Sequence, residues 1–416
     1  MTKEEKSWVL YDVANSAFVL IIITTIMPIF FKDIASQGTD NAISTANWGF
    51  ANSLASLILA FLAPIMGTFA DYQHVKKRFL LFFLGVGILS TLLLTTVGEG
   101  QWMKCLLIFI FGRIGFAGAN LFYDAFLTDV TEEGRMNRIS SSGYAWGYIG
   151  SVVPFLIVIA LIFFGISPGQ KAAIPIDSAK AGFVVVALWW LIFSVPLLKH
   201  VRQKHYIAPS DSPVRDSFIR LMETFKEIRA YRDVFLFLIA YFLYIDGVDT
   251  IITMAAAYGR DIGLGISTLI LAILMIQIVA FPFALLYGRL ADRFSEKTML
   301  YAGIIIYSII TIIGFFLPEL PTMRMKVITF WIVAFLVASS QGGIQAISRS
   351  FFGKLIPRER SAEFFGFYNI FGKFATITGP LLVGSIGRIT GHSRYGVLSI
   401  LILFIAGGII LTKVRK

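Results

Sequence analysis

The chain has 416 residues, of which 57% are hydrophobic and 15% charged, and its formal net charge is +11. Soluble domains carry about 25% charged residues, so this composition excludes an ordinary water-soluble globular fold and implies a polytopic membrane protein. The positive balance then reports membrane topology and contact with anionic lipid; a nucleic-acid partner is not expected.

A bilayer core of ~30 Å needs ~20 helical residues to cross it. Apolar runs of that length occur at 8–31, 43–70, 79–97, 103–130, 142–165, 181–198, 234–258, 266–288, 299–317, 327–348, 364–387 and 396–412. Their lengths suit helices and not the ~10-residue alternating strands of an outer-membrane barrel. The first run lacks a small-residue cleavage site and reads as a retained span, not a signal peptide. With both ends placed in the cytoplasm, the inner loops and tails hold 23 Lys and Arg against 9 in the outer loops. This asymmetry orients the chain with both termini inside, in a cell (inner) membrane.

Along the chain, polar residues interrupt these runs in patterns. The first run contains "YDVANSAF", Tyr11 to Phe18, which sets Asp12 only ~6 Å into the span, with Asn15 three residues further on. The second is followed by "GTFADYQHVKKR", with Gly67, Asp71, Lys77 and Arg78. In the fourth, Arg113, Ala117, Asn120 and Asp124 follow helical steps and form one small or polar stripe. The fifth carries "GYAWGYIG", where Gly143, Gly147 and Gly150 precede Pro154 and mark a face on which backbones meet. Just beyond it, "GISPG" matches Gly-x-Ser-x-Gly by letter, but it ends a span and does not form a strand-to-helix elbow, so no hydrolase is expected.

Residues 200–231 divide six runs from six. The first part of this stretch has the Pro, Ser and charge content of a linker. The second places Phe218, Leu221, Met222, Phe225 and Ile228 at helical spacing among basic residues, the pattern of an amphipathic helix on the inner membrane surface. In the seventh run, "YFLYIDGVDTIITM" carries Asp246, Asp249 and Thr253 on one face. The eighth is followed by "GRLADRFSEK", with Gly288, Asp292 and Arg293. The tenth offers Gln341, Gln345 and Ser348 with Arg349 beside them. The eleventh offers Asn369, Lys373, Thr376 and Pro380, with Gly372, Gly379 and Gly384 nearby.

Gly67 and Asp71 match Gly288 and Asp292 at one offset of 221 residues, each pair at the same end of the same span of its half. The glycine lets helices approach closely, and the carboxylate can pair with cations or with the N-terminus of a neighbouring helix. Gly67, Asp71, Lys77, Arg78, Gly288, Asp292 and Arg293 are therefore expected to form a conformational latch.

Each unpaired mid-membrane charge costs at least ~2.5–3.5 kcal/mol. The intramembrane set Asp12, Asn15, Arg113, Asn120, Asp124, Asp246, Asp249, Gln345, Arg349, Asn369 and Lys373 is therefore expected to line a substrate or proton path; static ion pairing is the competing explanation. Asp246 lies ~18 Å into its run, near the middle. Like-charge proximity to Asp249 and partial desolvation make it a candidate proton carrier.

The paired loops resemble the loop-two-three signature of the major facilitator superfamily and its echo in loop eight-nine. "YDVANSAF" and "GGIQAISRSFFGKLIPRERSAEFFGFYNIFGKFATITGPLLVG", Gly342 to Gly384, resemble the vacuole effluxer-like branch of fungal vacuolar amino-acid exporters and their bacterial relatives. The first signature departs from the usual pattern: Tyr72 and His74 stand where arginine and glycine are customary. The resemblance implies an all-α integral membrane protein of twelve transmembrane helices in two pseudo-symmetric six-helix bundles, the major facilitator fold. It divides as 1–199, the linker 200–231, and 232–416. It also implies a secondary transporter that exports amino acids or similarly small amphoteric metabolites; a monomer is expected, and the acid pair at Asp246 and Asp249 makes protons the expected coupling ion.

Two alternatives stand beside this reading. The same scaffold could export drugs, lipids or nucleoside-like solutes. An intramembrane enzyme would want carboxylate-rich metal motifs near the membrane surface, whereas this acid pair is mid-span and the two-fold repeat fits alternating access. No phosphate-binding loop is present, the four histidines show no metal-site spacing, and Cys105 is single. No metal and no cofactor are expected.

Overall fold

The computed structural model describes residues 1–165, 174–208, 213–226 and 231–415. Within the helices, the side chains of 41, 42, 45, 46, 213, 214, 218, 220, 224–226, 256, 257, 260, 261, 266, 267, 270, 373, 376 and 377 lie outside the description. So do 166–169 of "GISPG" and, in the linker, Ile228 and Arg229.

The chain is all-helical. Apolar runs without water to bond their backbones have to satisfy every amide and carbonyl internally. Unit by unit along the sequence, the first half holds α1 (Lys3–Ala17), α2 (Ile26–Phe30), α3 (Asn41–Ala70), α4 (Val75–Leu93), α5 (Trp102–Ala125), α6 (Leu127–Val130), α7 (Glu133–Gly165) and α8 (Ile176–His200). The linker contributes α9 (Pro213–Lys226). The second half holds α10 (Arg232–Asp261), α11 (Ile266–Arg293), α12 (Glu296–Phe316), α13 (Met323–Leu355), α14 (Ser361–Thr390) and α15 (Ser393–Thr412). Among the described residues, eleven helical segments are long and apolar enough to cross a membrane. The remaining expected run, 364–387, falls within α14.

The first span begins earlier than its apolar run, because Thr2 and Glu5 close a reciprocal capping box that satisfies the first amides of α1. It then continues from α1 through wider π turns at Phe18–Thr25. There the Thr24 and Thr25 hydroxyls donate to carbonyls five residues back. In α9, Leu221 is buried while Ile219 and Met222 are exposed, so the described apolar positions divide between two faces.

The helices gather into two compact units. The first contains Met1–Val130, Trp146–Phe218 and Glu359–Gly366; the second contains Thr131–Ala145, Ile219–Arg358 and Phe367–Lys416. The start of α7 thus belongs with the second unit and the start of α14 with the first. In the first unit, α7 packs tightly on α1 at two glycines that the sequence singled out. A Cβ on Gly147 would come 2.6 Å from Ser16 Oγ, and one on Gly150 2.6 Å from Val13 Cγ1.

Candidate functional site

In the second unit, α10 and α14 meet at a carboxylate. Asp246 has 0% exposure, and its Oδ1 accepts the Gly379 amide at 2.8 Å and the Thr250 hydroxyl at 3.4 Å. Only glycine permits this approach, since a Cβ at 379 would sit 1.9 Å from Thr250 Oγ1 and 2.6 Å from Asp246 Oδ1. The other carboxylate oxygen, Oδ2, is buried without a hydrogen-bond partner among the described residues. The other two members of the expected stripe differ from Asp246: Asp249 is half-buried and Thr253 exposed.

On α13, Arg349 is 2% exposed. It donates through Nε to Ser140 Oγ and through Nη2 to the Ser140 carbonyl, both at 3.0 Å, and its guanidinium lies 4.4 Å above the Tyr144 ring. At the preceding residue of α13, Ser348 shares a hydrogen bond of 2.6 Å with Tyr244. Gln345 and Asn369 are half-buried. The Lys373 side chain lies outside the described residues.

In the first unit, the polar pattern of the first run meets that of the fourth. Asp12 Oδ2 accepts the Tyr123 hydroxyl at 2.7 Å, and Asn15 donates to Asn120 Oδ1 at 2.9 Å. Three residues separate the members on each helix, so the two bonds form consecutive rungs between α1 and α5. Trp8 stacks on Tyr123 with centroids 4.4 Å apart and donates to its carbonyl. Asp124 and Arg113 are half-buried, and Arg113 has no ion-pair partner among the described residues.

Both signature loops have a glycine in close approach four residues before the aspartate, but they differ in backbone and in chemistry. In the first unit, Asp71 has 0% exposure and caps α14: Oδ1 accepts the Ala362 amide at 2.8 Å and Oδ2 the Glu363 amide at 3.0 Å. These are orphan donors of a helix start, where a carboxylate is favoured by the helix dipole. Gly67 makes this possible, because a Cβ there would lie 2.5 Å from the Ala362 carbonyl oxygen. Burial, with the nearby Glu363 charge adding to it, pushes the Asp71 carboxyl up to about 7 against the opposing pull of Lys76 and the two amides. His74 adopts a left-handed φ of 66°, which explains why glycine is customary at that position.

In the second unit, Asp292 accepts from side chains instead: Arg138 Nε at 2.5 Å and Asn137 Nδ2 at 3.2 Å. Asn137 also donates to Glu296, which in turn holds Lys354 at 2.6 Å. Gly288 again supplies the close approach, this time to Ser141 and the Asn137 carbonyl. Of the flanking cations, Lys77 bonds the Val201 carbonyl at 2.9 Å, Arg78 is exposed, and Arg293 lies over Phe294.

Several residues in these networks escaped the sequence reading. Lys76 is fully buried between Asp129 Oδ2 and Ser361 Oγ, each 2.8 Å away. In the sequence it is one of three consecutive basic residues, and nothing local distinguishes it from Lys77 and Arg78. Asp129 sits at the end of an apolar run like any interfacial acid. Asn137, Ser140 and Glu296 lack a periodic signal altogether. Gly379 was visible only as a packing glycine.

The whole chain, residues 1–416, matches the family model described as "Vacuole effluxer Atg22 like". The chain belongs to the Atg22-like family. It is 49% identical over 419 residues to "Uncharacterized MFS-type transporter YxiO" of Bacillus subtilis, covering 100% of this chain and 95% of that protein. It is 28% identical over 352 residues to "Autophagy-related protein 22" of Kluyveromyces lactis, covering 77% and 69% respectively. Among solved structures it is similar to the major facilitator proton:xylose symporter XylE, with a TM-score of 0.75 and 12% identity over 99% of this chain and 95% of that one. This Atg22-like protein is therefore a multi-pass membrane protein of the major facilitator fold and a secondary transporter of small molecules, not an enzyme.

Proposed function

We propose that this Atg22-like transporter exports amino acids or similarly small amphoteric metabolites in exchange for protons. In this reading both termini and the linker 200–231 lie on the cytoplasmic side of the cell membrane, and segments 1–199 and 232–416 act as the two bundles of an alternating-access cycle. The observation that carries it is Asp246. An ionised carboxylate with one oxygen buried and lacking a donor is costly, so a proton on Oδ2 relieves that cost and the group can change charge as its surroundings open and close. Arg113, within a span and without an ion-pair partner among the described residues, supplies a cation for a substrate carboxylate. Each charge by itself suits one end of a zwitterion, and the family description names an effluxer.

The test is flux in proteoliposomes loaded with single amino acids, nucleosides or sugars, with and without a pH gradient. Gradient-driven accumulation of an amino acid is expected in the native chain. Asp246→Asn, neutral at every pH, is expected to abolish accumulation while leaving substrate exchange. Gradient-driven accumulation that survives in Asp246→Asn would overturn the proton role, and transport confined to nucleosides or sugars would overturn the substrate class.

A further inference from the structure

Beyond α8, which ends at His200, the chain runs through 201–208 without helix and remains within the first unit. Irregular backbone ordinarily gives its polar groups to water. Here helix ends take them up. Ser7 Oγ lies 3.2 Å from His200 Nδ1, and Lys204 Nζ lies 2.5 Å from Glu4, both on α1. Lys77 Nζ donates to the Val201 carbonyl. The Gln203 side-chain amide donates to the Ala70 and Asp71 carbonyls at 3.2 and 3.3 Å. Ile207 N donates to the Asp71 carbonyl at 2.9 Å, and Tyr72 pairs with Ile207 in a single parallel bridge.

The firmest joint is at Asp129. Its Oδ1 accepts two consecutive amides, Lys204 and His205, each at 2.8 Å. Bonds from backbone amides to an ionised oxygen are among the stronger ones available, and Asp129 is only 3% exposed. Its Oδ2 holds Lys76, which in turn donates to Ser361, the first residue of α14. The next two amides of α14 are held by the Asp71 side chain. Residues 200–207 and the first turn of α14 are thus joined through Asp71, Lys76 and Asp129. If α14 leaves, Lys76 loses Ser361 and Asp71 loses two donors. The buried cluster then has to admit water, and the joint at Asp129 belongs to that cluster.

We propose that residues 200–207 form a strap whose seating on Asp129 and the α3–α4 turn is coupled to the capture of α14 by Asp71, so that strap and cap release together during transport. The coupling does not depend on which solute is carried. It makes the segment between the two sequence halves a control element, whereas a plain linker would leave the transport cycle untouched.

Hydrogen–deuterium exchange on the full chain in nanodiscs tests this directly. Asp71→Asn weakens the cap on α14 but keeps the main-chain carbonyl that the strap uses. Coupling requires that peptides covering 203–207 exchange faster along with those covering 361–365, by at least ~5-fold, the low end of ordinary coupling energies. Reciprocally, Gln203→Ala combined with His205→Pro removes strap donors and touches no α14 contact, yet should speed exchange at 361–365. Unchanged protection of α15 shows that the fold is intact; if the combined variant loses it, Gln203→Ala alone is read by the same criterion. Faster exchange at 361–365 alone in Asp71→Asn, or at 203–207 alone in the strap variant, would overturn the proposal.

Discussion

The Lys76 ammonium and the Asp129 carboxylate meet at 2.8 Å with both side chains fully sealed from solvent. Removing one partner of such a pair leaves an uncompensated buried charge, at a cost of ~3–5 kcal/mol. Lys76→Met is therefore expected to lower the thermal midpoint strongly. Adding Asp129→Leu should recover only part of the loss, because Asp129 also receives the Lys204 and His205 amides, and those donors would then lack an acceptor. Thermal unfolding followed by tryptophan fluorescence checks both variants, and full recovery in the double variant would show that the amides contribute nothing.

Asp71 is expected to make the α14 cap pH-dependent. Its carboxyl is raised from 3.8 to about 7, chiefly by burial, with Glu363 adding and Lys76 and the two amides opposing. Nearby, Arg360 pairs with Glu363, and Asp129 pairs with Lys76. The capped arrangement binds the proton more tightly than a solvated carboxyl does. Its contribution is thus fully present below 3.8 and is lost as pH rises through about 7. Protection of the Ala362 and Glu363 amides, corrected for intrinsic exchange, should fall from about pH 5 to about pH 8, and Asp71→Asn should flatten the profile. A sloping profile retained in the Asn variant would place the titration elsewhere.

Gly379→Ala tests the Asp246 contact from the opposite side. The added carbon would lie 1.9 Å from Thr250 Oγ1 and 2.6 Å from Asp246 Oδ1, and overpacking of this kind costs ~1–3 kcal/mol. A lowered melting temperature is expected. Thr250→Ala in the same chain removes the closest of these atoms and should restore part of the loss. Native stability in the single variant would mean that α14 shifts freely at this point.

Topology is checked by tags. A tag at either terminus should resist external protease in intact cells, while one inserted between α7 and α8 should be cleaved, as expected from 23 basic residues on one side against 9 on the other. Cleavage at the termini would reverse the orientation.

Much of this protein was legible in one dimension. Apolar runs specify helices because a bilayer leaves backbone groups no other partner, and the Gly67–Asp71 and Gly288–Asp292 repeat marked both loops without any structure. The Asp12 and Asn15 pattern on one run and the Asn120 stripe on another were each visible as well. That they bond to one another, with Tyr123 as the partner of Asp12, was not visible, because helical periodicity describes one face and says nothing about what it meets.

Tertiary structure decided what each charge does. Sequence treated Asp71 and Asp292 as equals; packing set one against two bare amides in a dry site and the other against an arginine and an asparagine. Three adjacent cations read alike, yet the helix turn sends Lys76 into the core, Lys77 to a strap carbonyl and Arg78 outward. Asp246 was legible as an intramembrane acid, but its amide donor at Gly379 lies 133 residues away. Burial and pairing depend on neighbours brought from distant positions, and local sequence carries no record of them.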